Sequence, residues 1–286
     1  MLVEFNESDC QFAHVNGLKL RYYDQGEGAP LLLLHGFPDN LTLWKKVIPF
    51  FIDAGYRVIA FDQRGFGESD MQPKKDDYLI KNIVSDIPAL LDHLGLDEKV
   101  YVMGHDWGSV IAWAFSLAHP DRVYASVNIS VGHPESYRRS GISQKLFKGF
   151  YIIWFQFIGL AEWYLKSGGL KRWLGSYPEP EVAIQKMMRK GRLTAGLNWY
   201  RANFSNILSQ SWSKCEVPTL SVWSDQDSYL TEQQVLSSQK YMSAEWQYYQ
   251  VKNTGHWVPL EQPVELYKLA LAWFEKNDFA EFQQSH

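Results

Sequence analysis

Cysteine is almost missing from these 286 residues. Cys10 and Cys215 stand far apart in no metal-ligand spacing, and are read as idle thiols of a reducing compartment rather than a bridge. A long apolar run is missing too. The longest candidate, Phe150 to Leu160, is broken by Gln156 and too short to span a bilayer, so no membrane insertion is expected. The N-terminus carries Glu4, Glu7 and Asp9 and has no apolar run of signal-peptide length. The expected location is therefore cytoplasmic. Excess positive charge is also lacking: the formal net charge is −4, which argues against a nucleic-acid partner and against an anionic membrane. The nearest thing to a basic patch, Arg138, Arg139, Lys145 and Lys148, is read as a solvated helix face. No Gly-rich phosphate loop follows a strand, so no nucleotide, metal or other cofactor is expected. Oligomeric state leaves no mark in the sequence.

What is present is an alternation. A hairpin opens the chain, "FAHV" and "LKLRYYD" around the Asn16-Gly17 turn. "LLLLHG", "YRVIAFD", "KVYVMGHD", "VYASVNIS", "PTLSVWSD" and "EWQYYQVKN" then read as strands. Helical patterns separate them, among them "TLWKKVIPFFIDAG", "YLIKNIVSDIPALLDHLG" and "GSVIAWAFSLAHP". Continuous apolar strands between amphipathic helices predict an α/β fold, a mostly parallel sheet with helices on both faces. From Pro134 to Ser213 the strand pattern stops and aromatic residues crowd in. The predicted organisation is a core domain of 1–133 and 214–286, with a helical cap (lid) domain of 134–213 inserted between two strands. Such an insert beside the C-terminal ends of parallel strands suits a lid.

Four motifs fall where parallel strands end: "HGFPDN", "GHDWGS", "WSDQD" and "NTGHW". Nucleophile, acid and histidine in that order is the order of a hydrolase triad built on a strand–turn–helix elbow. Here the elbow holds Asp106 where a serine is more familiar. A carboxylate needs no base to become an anion, so it can displace a leaving group from a tetrahedral carbon and form an alkyl ester. A base must then send water at that ester, and His256 titrates near the working pH. Asp227 is preferred to Asp225 as the acid that orients the imidazole, because Asp227 reaches further into the loop. The backbone amides of Phe37 and Trp107 are the expected oxyanion donors. His35 is expected to brace the oxyanion loop, and His105 to pack or bond within its turn.

Together, "HGFPDN", "FDQRGFGESD", "GHDWGS", "WSDQD" and "GHW" resemble the α/β-hydrolase-fold epoxide hydrolases, and secondarily the haloalkane dehalogenases. The resemblance runs from about residue 10 to 276 and implies the α/β-hydrolase fold with a helical lid. It implies an ether-bond hydrolase that turns a small, hydrophobic epoxide into a vicinal diol through an Asp106 ester. Epoxide hydrolases hold the oxirane oxygen with two lid tyrosines. "LNWYRANF" resembles the segment bearing one, pointing to Tyr200, and "FYIIWFQFIGLAEW" resembles the other, pointing to Tyr151. The chain departs at Phe157-Ile158, where the family often has a proline before the glycine. Phe37, Trp107, Trp154, Phe155 and Trp257 are the expected substrate pocket. A haloalkane dehalogenase with the same Asp-His-Asp triad is the alternative; it would need N–H donors for halide, which Trp107 and a lid tryptophan could supply. A binding protein on the same scaffold would not need an intact triad.

Overall fold

The protein is described by a computed structural model over residues 4–141 and 148–282; Lys145 lies outside the described residues. The chain begins with an antiparallel hairpin, β1 (Gln11–Val15) and β2 (Leu18–Gln25). Asn16 and Gly17 both take positive φ, as the tight turn requires. There follow β3 (Ala29–Leu34), α1 (Ile48–Asp53), β4 (Tyr56–Phe61), α2 (Ile80–Val84), α3 (Asp86–His93), β5 (Val100–His105), α4 (Trp107–Ala118) and β6 (Val123–Ile129). After β6 the described elements are helices: α5 (Pro134–Arg138), α6 (Phe150–Trp154), α7 (Leu160–Tyr164), α8 (Leu170–Leu174), α9 (Pro180–Met187) and α10 (Arg192–Ser209). The sheet then resumes with β7 (Thr219–Ser224), α11 (Glu232–Leu236), β8 (Trp246–Val251), α12 (Val258–Glu261) and α13 (Pro263–Phe282).

The eight strands form one sheet in the order β1-β2-β4-β3-β5-β6-β7-β8. β2 runs antiparallel to β4, and every pairing from β4 to β8 is parallel. Burial follows position. Every residue of β5 and β7 is buried, as a continuous apolar strand covered on both faces should be. The edge strand β8 instead alternates exposed and half-buried residues. Helix α4 packs on β3, β5 and β6, and α13 lies on β6. No described helix is long and apolar enough to cross a membrane.

Two helical patterns are broken in the structure by proline. "TLWKKVIPFFIDAG" becomes a 3-10 turn over Leu41–Trp44 and then α1, which starts with Pro49 in its first turn. "YLIKNIVSDIPALLDHLG" divides into α2 and α3 around Ser85. Pro88 has no N–H to give the Val84 carbonyl, so one continuous helix cannot form there.

The long α10 is tied to the core by polar side chains. Trp199 donates its indole N–H to the Arg64 carbonyl at 3.1 Å. Asn203 accepts from the Ile80 amide at 2.9 Å and donates to the Tyr78 carbonyl at 2.8 Å. The "DQRGFGESD" loop beneath it is braced by buried Asp62, which accepts from the Leu41 and Glu68 amides.

Candidate active site

Asp106 joins β5 to α4 with φ 53° and ψ −121°, outside the regions a non-glycine residue favours. That strain lifts its carboxylate out of the strand end. The turn is feasible only because its neighbours lack side chains. A Cβ on Gly36 would come within 2.4 Å of Asp106 Oδ1, and one on Gly108 within 2.0 Å of the Leu34 carbonyl. Asp106 Oδ1 accepts the Phe37 amide at 2.9 Å, and the Trp107 amide also bonds its carboxylate. Burial pushes the Asp106 pKa above the ordinary range, opposed by His256 and these two amides.

His256 follows β8, with Nε2 3.8 Å from Asp106 Oδ2. Its Nδ1 donates to Asp227 Oδ2 at 2.8 Å. Asp227 Oδ1 is fixed in turn by the amides of Tyr229 at 2.7 Å and Leu230 at 2.9 Å. Asp225 lies elsewhere, accepting from the Thr254 amide at 3.4 Å. Burial alone would raise Asp227, but His256 and the two amides hold it below the usual carboxylate range. Burial alone would lower His256; the Asp227, Asp106 and Asp39 charges raise it instead.

Above the carboxylate stand two buried phenols. Tyr151 of α6 and Tyr200 of α10 have ring centroids 6.0 Å apart. Both are raised well above a normal phenol, first by burial, with the Asp106 charge adding to it. The Trp107 side chain bonds the Tyr200 hydroxyl, and an indole can only donate, so the Tyr200 proton remains available to another acceptor. Arg201, next to Tyr200, is buried and grips Glu162 through two bonds of 2.7 and 2.9 Å. Its Nε also donates to the Phe155 carbonyl at 2.8 Å, one turn after Tyr151. One guanidinium therefore sets the spacing of the two tyrosine-bearing helices.

A cavity of about 60 Å³ adjoins these groups, lined by Asp106, Trp107, Tyr151, Ile152, Tyr200 and Leu230 among others. The other expected pocket residues sit differently. Phe37 and Phe155 form a layer behind the tyrosines, their rings 5.5 and 5.1 Å from Tyr200. Trp154 turns away, packing on Phe157 and Tyr164 at 5.7 and 5.9 Å. Trp257 lies behind His256, its ring 5.1 Å away. His35 donates from Nδ1 to the Gly36 carbonyl at 2.9 Å and accepts the Gln63 amide on Nε2 at 3.0 Å, which fixes its tautomer. His105 bonds the His256 carbonyl at 2.9 Å, and burial pushes its pKa down to about 3.

Several residues at the site had no reading as site residues from sequence. Asp39 is buried and accepts from Tyr177 Oη and from Trp257 Nε1, so it joins the helical excursion to the histidine loop. Burial pushes its pKa up to about 7, against the two hydrogen bonds. Tyr229 packs on His256 at 5.0 Å and donates its hydroxyl to the Trp173 carbonyl. Its position two residues after Asp227 was the only hint. The basic cluster also needs correction. Arg138 and Arg139 both pair with buried Glu135, and half-buried Lys148 donates to the carbonyls of Asp227 and Leu230. Among the described members of the cluster, a solvated face fits only the exposed Arg139.

A family described as alpha/beta hydrolase fold matches residues 29–263. An AB hydrolase superfamily protein, YfhM of Bacillus subtilis, is 31% identical over 94% of this chain and 98% of its own length. Epoxide hydrolase A of Mycobacterium tuberculosis is 32% identical over 88% of this chain and 92% of its own. The crystal structure of epoxide hydrolase A from Mycobacterium thermoresistibile superposes with a TM-score of 0.80 at 27% identity, covering 92% of this chain and 97% of that one. With its mostly parallel sheet, its elbow and these relatives, the chain belongs to the α/β-hydrolase fold family, among its epoxide hydrolases.

Proposed function

We propose that this enzyme hydrolyses an apolar epoxide to a vicinal diol in two steps. Asp106 Oδ2 attacks an oxirane carbon, the C–O bond breaks, and the departing oxygen takes its proton from Tyr151 or Tyr200. The product is an alkyl ester on Asp106. His256 then takes a proton from water, whose oxygen adds to the Asp106 carbonyl carbon. The oxyanion is held by the amides of Phe37 and Trp107. Collapse expels the alcohol oxygen, which takes the proton of the added hydroxyl. The diol leaves, Asp106 is a carboxylate again, and the imidazolium proton passes to the tyrosinate left by the first step. Asp227 holds the imidazole tautomer and its charge throughout.

The observation that carries this reading is the pairing of an elbow carboxylate with two buried phenols on one cavity. A halide-binding alternative would have to use the unpartnered Trp173 indole, whose ring packs on Tyr151 at 5.6 Å, because the other indoles near the site are engaged. The Trp199 indole is bound to Arg64, and the Trp107 indole is engaged with Tyr200. We assign 134–213 as the cap over this site and the remainder as the core. The cytoplasm is our proposed location, in keeping with free cysteines, Cys10 half-buried and Cys215 buried. The deciding test is one turnover of styrene oxide in ¹⁸O-water, followed by peptide mass analysis. The reading requires label in the Asp106 peptide. Diol formed with the label never entering Asp106 would reject the covalent route, and halide release from a bromoalkane without epoxide turnover would favour the dehalogenase.

A further inference from the structure

Helix α6 has two apolar faces. Tyr151 and Phe155 turn inward to the site. Phe150 and Ile153 turn outward, and the exposed apolar surface continues through Phe157, Ile158, Leu160 and Trp163. Ile158 is 76% exposed and Trp163 66%. Folding alone gives no reason to leave six large apolar side chains within fourteen residues in water. A contiguous patch of this kind marks a surface meant for something else.

The charges beside the patch indicate what that is. From Phe150 to Gly175 the exposed charged residues are Lys166, Lys171 and Arg172. The one acid of that stretch, Glu162, is buried against Arg201. Arg172 is linked to the patch through two intervening rings. Its guanidinium lies 5.6 Å over Tyr164, which packs on Trp154, which packs on Phe157. Lys171 is shared with Glu181 at 3.2 Å. Exposed aromatic and aliphatic side chains, a tryptophan among them, followed at once in the chain by exposed cations suit the headgroup region of an anionic bilayer.

We infer that this face of the cap docks on an anionic lipid surface. The side chains enter at headgroup depth while the helices lie along the membrane, and no segment crosses it. The chain's net charge of −4 argued against such a partner, but a membrane responds to the charge it faces, and here that charge is positive. Docking would set Ile152 and Tyr151, which line the cavity, on the helix next to the lipid. The inference stands apart from the proposed chemistry, because a chain with no epoxide turnover would still bind vesicles.

The test is sedimentation of the full chain with phosphatidylcholine vesicles, with and without phosphatidylglycerol. The expected result is pelleting only with the anionic lipid, weakened by added salt. Lys166→Glu with Arg172→Glu, and separately Ile158→Ser with Trp163→Ser, should each cut the bound fraction about tenfold without moving the melting temperature. Absence of pelleting, or pelleting that neither pair of substitutions changes, would overturn the inference. So would a patch-dependent dimer in sedimentation velocity that ignores vesicles, which would give the face to a second copy.

Discussion

Lys148 donates its ammonium to the backbone carbonyl of Asp227, the residue whose carboxylate orients His256. A second bond, 3.1 Å to the Leu230 carbonyl, fastens the same loop. Lys148 lies three residues before Tyr151, so one side chain links the tyrosine helix to the acid of the triad. Lys148→Met should lower stability by about 1.5–3 kcal/mol, the range for hydrogen bonds to a charged group. Urea unfolding measures this directly, and a loss within about 0.5 kcal/mol would place Lys148 among ordinary surface residues.

The two phenols act on ester formation alone in the proposed mechanism. Tyr151→Phe and Tyr200→Phe should each slow that step by about a hundredfold, as loss of one oxyanion donor does. Breakdown of a preformed ester should change little. Stopped-flow tryptophan fluorescence in a single turnover separates the steps. A variant that slows ester breakdown while leaving its formation intact would remove that tyrosine from the role of proton donor.

His256 must be neutral to activate water, and the charges of Asp227, Asp106 and Asp39 raise its pKa in spite of burial. In the ester Asp106 carries no charge and Asp227 is the chief charge left against the imidazole, so ester hydrolysis should fall on the acid side with a midpoint above the ordinary imidazole value of about 6.5. Asp227→Asn removes the nearest of those charges and should carry the midpoint downward as well as reducing kcat. A pH profile of kcat with its acid limb below that value would contradict the arrangement.

Asp39 gives a prediction about stability. Its folded pKa is about 7, and an unfolded aspartate titrates near 3.9. The folded state holds this proton more tightly, so the stability it contributes is full below about pH 4 and is lost as pH rises through about 7. Asp39→Asn removes that dependence and keeps an acceptor for Tyr177 and Trp257. Melting temperatures across this range should show wild type losing ground to the variant as pH rises. Parallel curves would mean that Asp39 is ionised throughout.

Much of this could be read from residue order. Strands buried on both faces carry unbroken apolar runs, so β3, β5 and β7 were visible, as were the motifs at their ends. Helix continuity was harder to see, because one proline, Pro88, cuts a pattern whose apolar spacing runs on across it. Within the candidate site, Asp106, His256 and Asp227 sit in local motifs. Asp39, Tyr177 and Trp257 meet only through folding, from segments more than 75 residues apart. Trp154 was expected at the pocket, yet in so short a helix Tyr151 and Phe155 take the inner face and leave it on the flank. Lys148 looked solvated because nothing in sequence shows a carbonyl awaiting it.

The hydrogen bond from the Phe37 amide to Asp106 Oδ1 has a consequence for the enzyme's own substance. With Oδ1 engaged, Oδ2 is the oxygen that bonds to substrate carbon, and in the proposed route it departs within the diol. An oxygen from water replaces it. After its first catalytic cycle the enzyme no longer contains that atom as it was translated. The nucleophile is a renewable part, and one fixed backbone amide determines which half of it wears out.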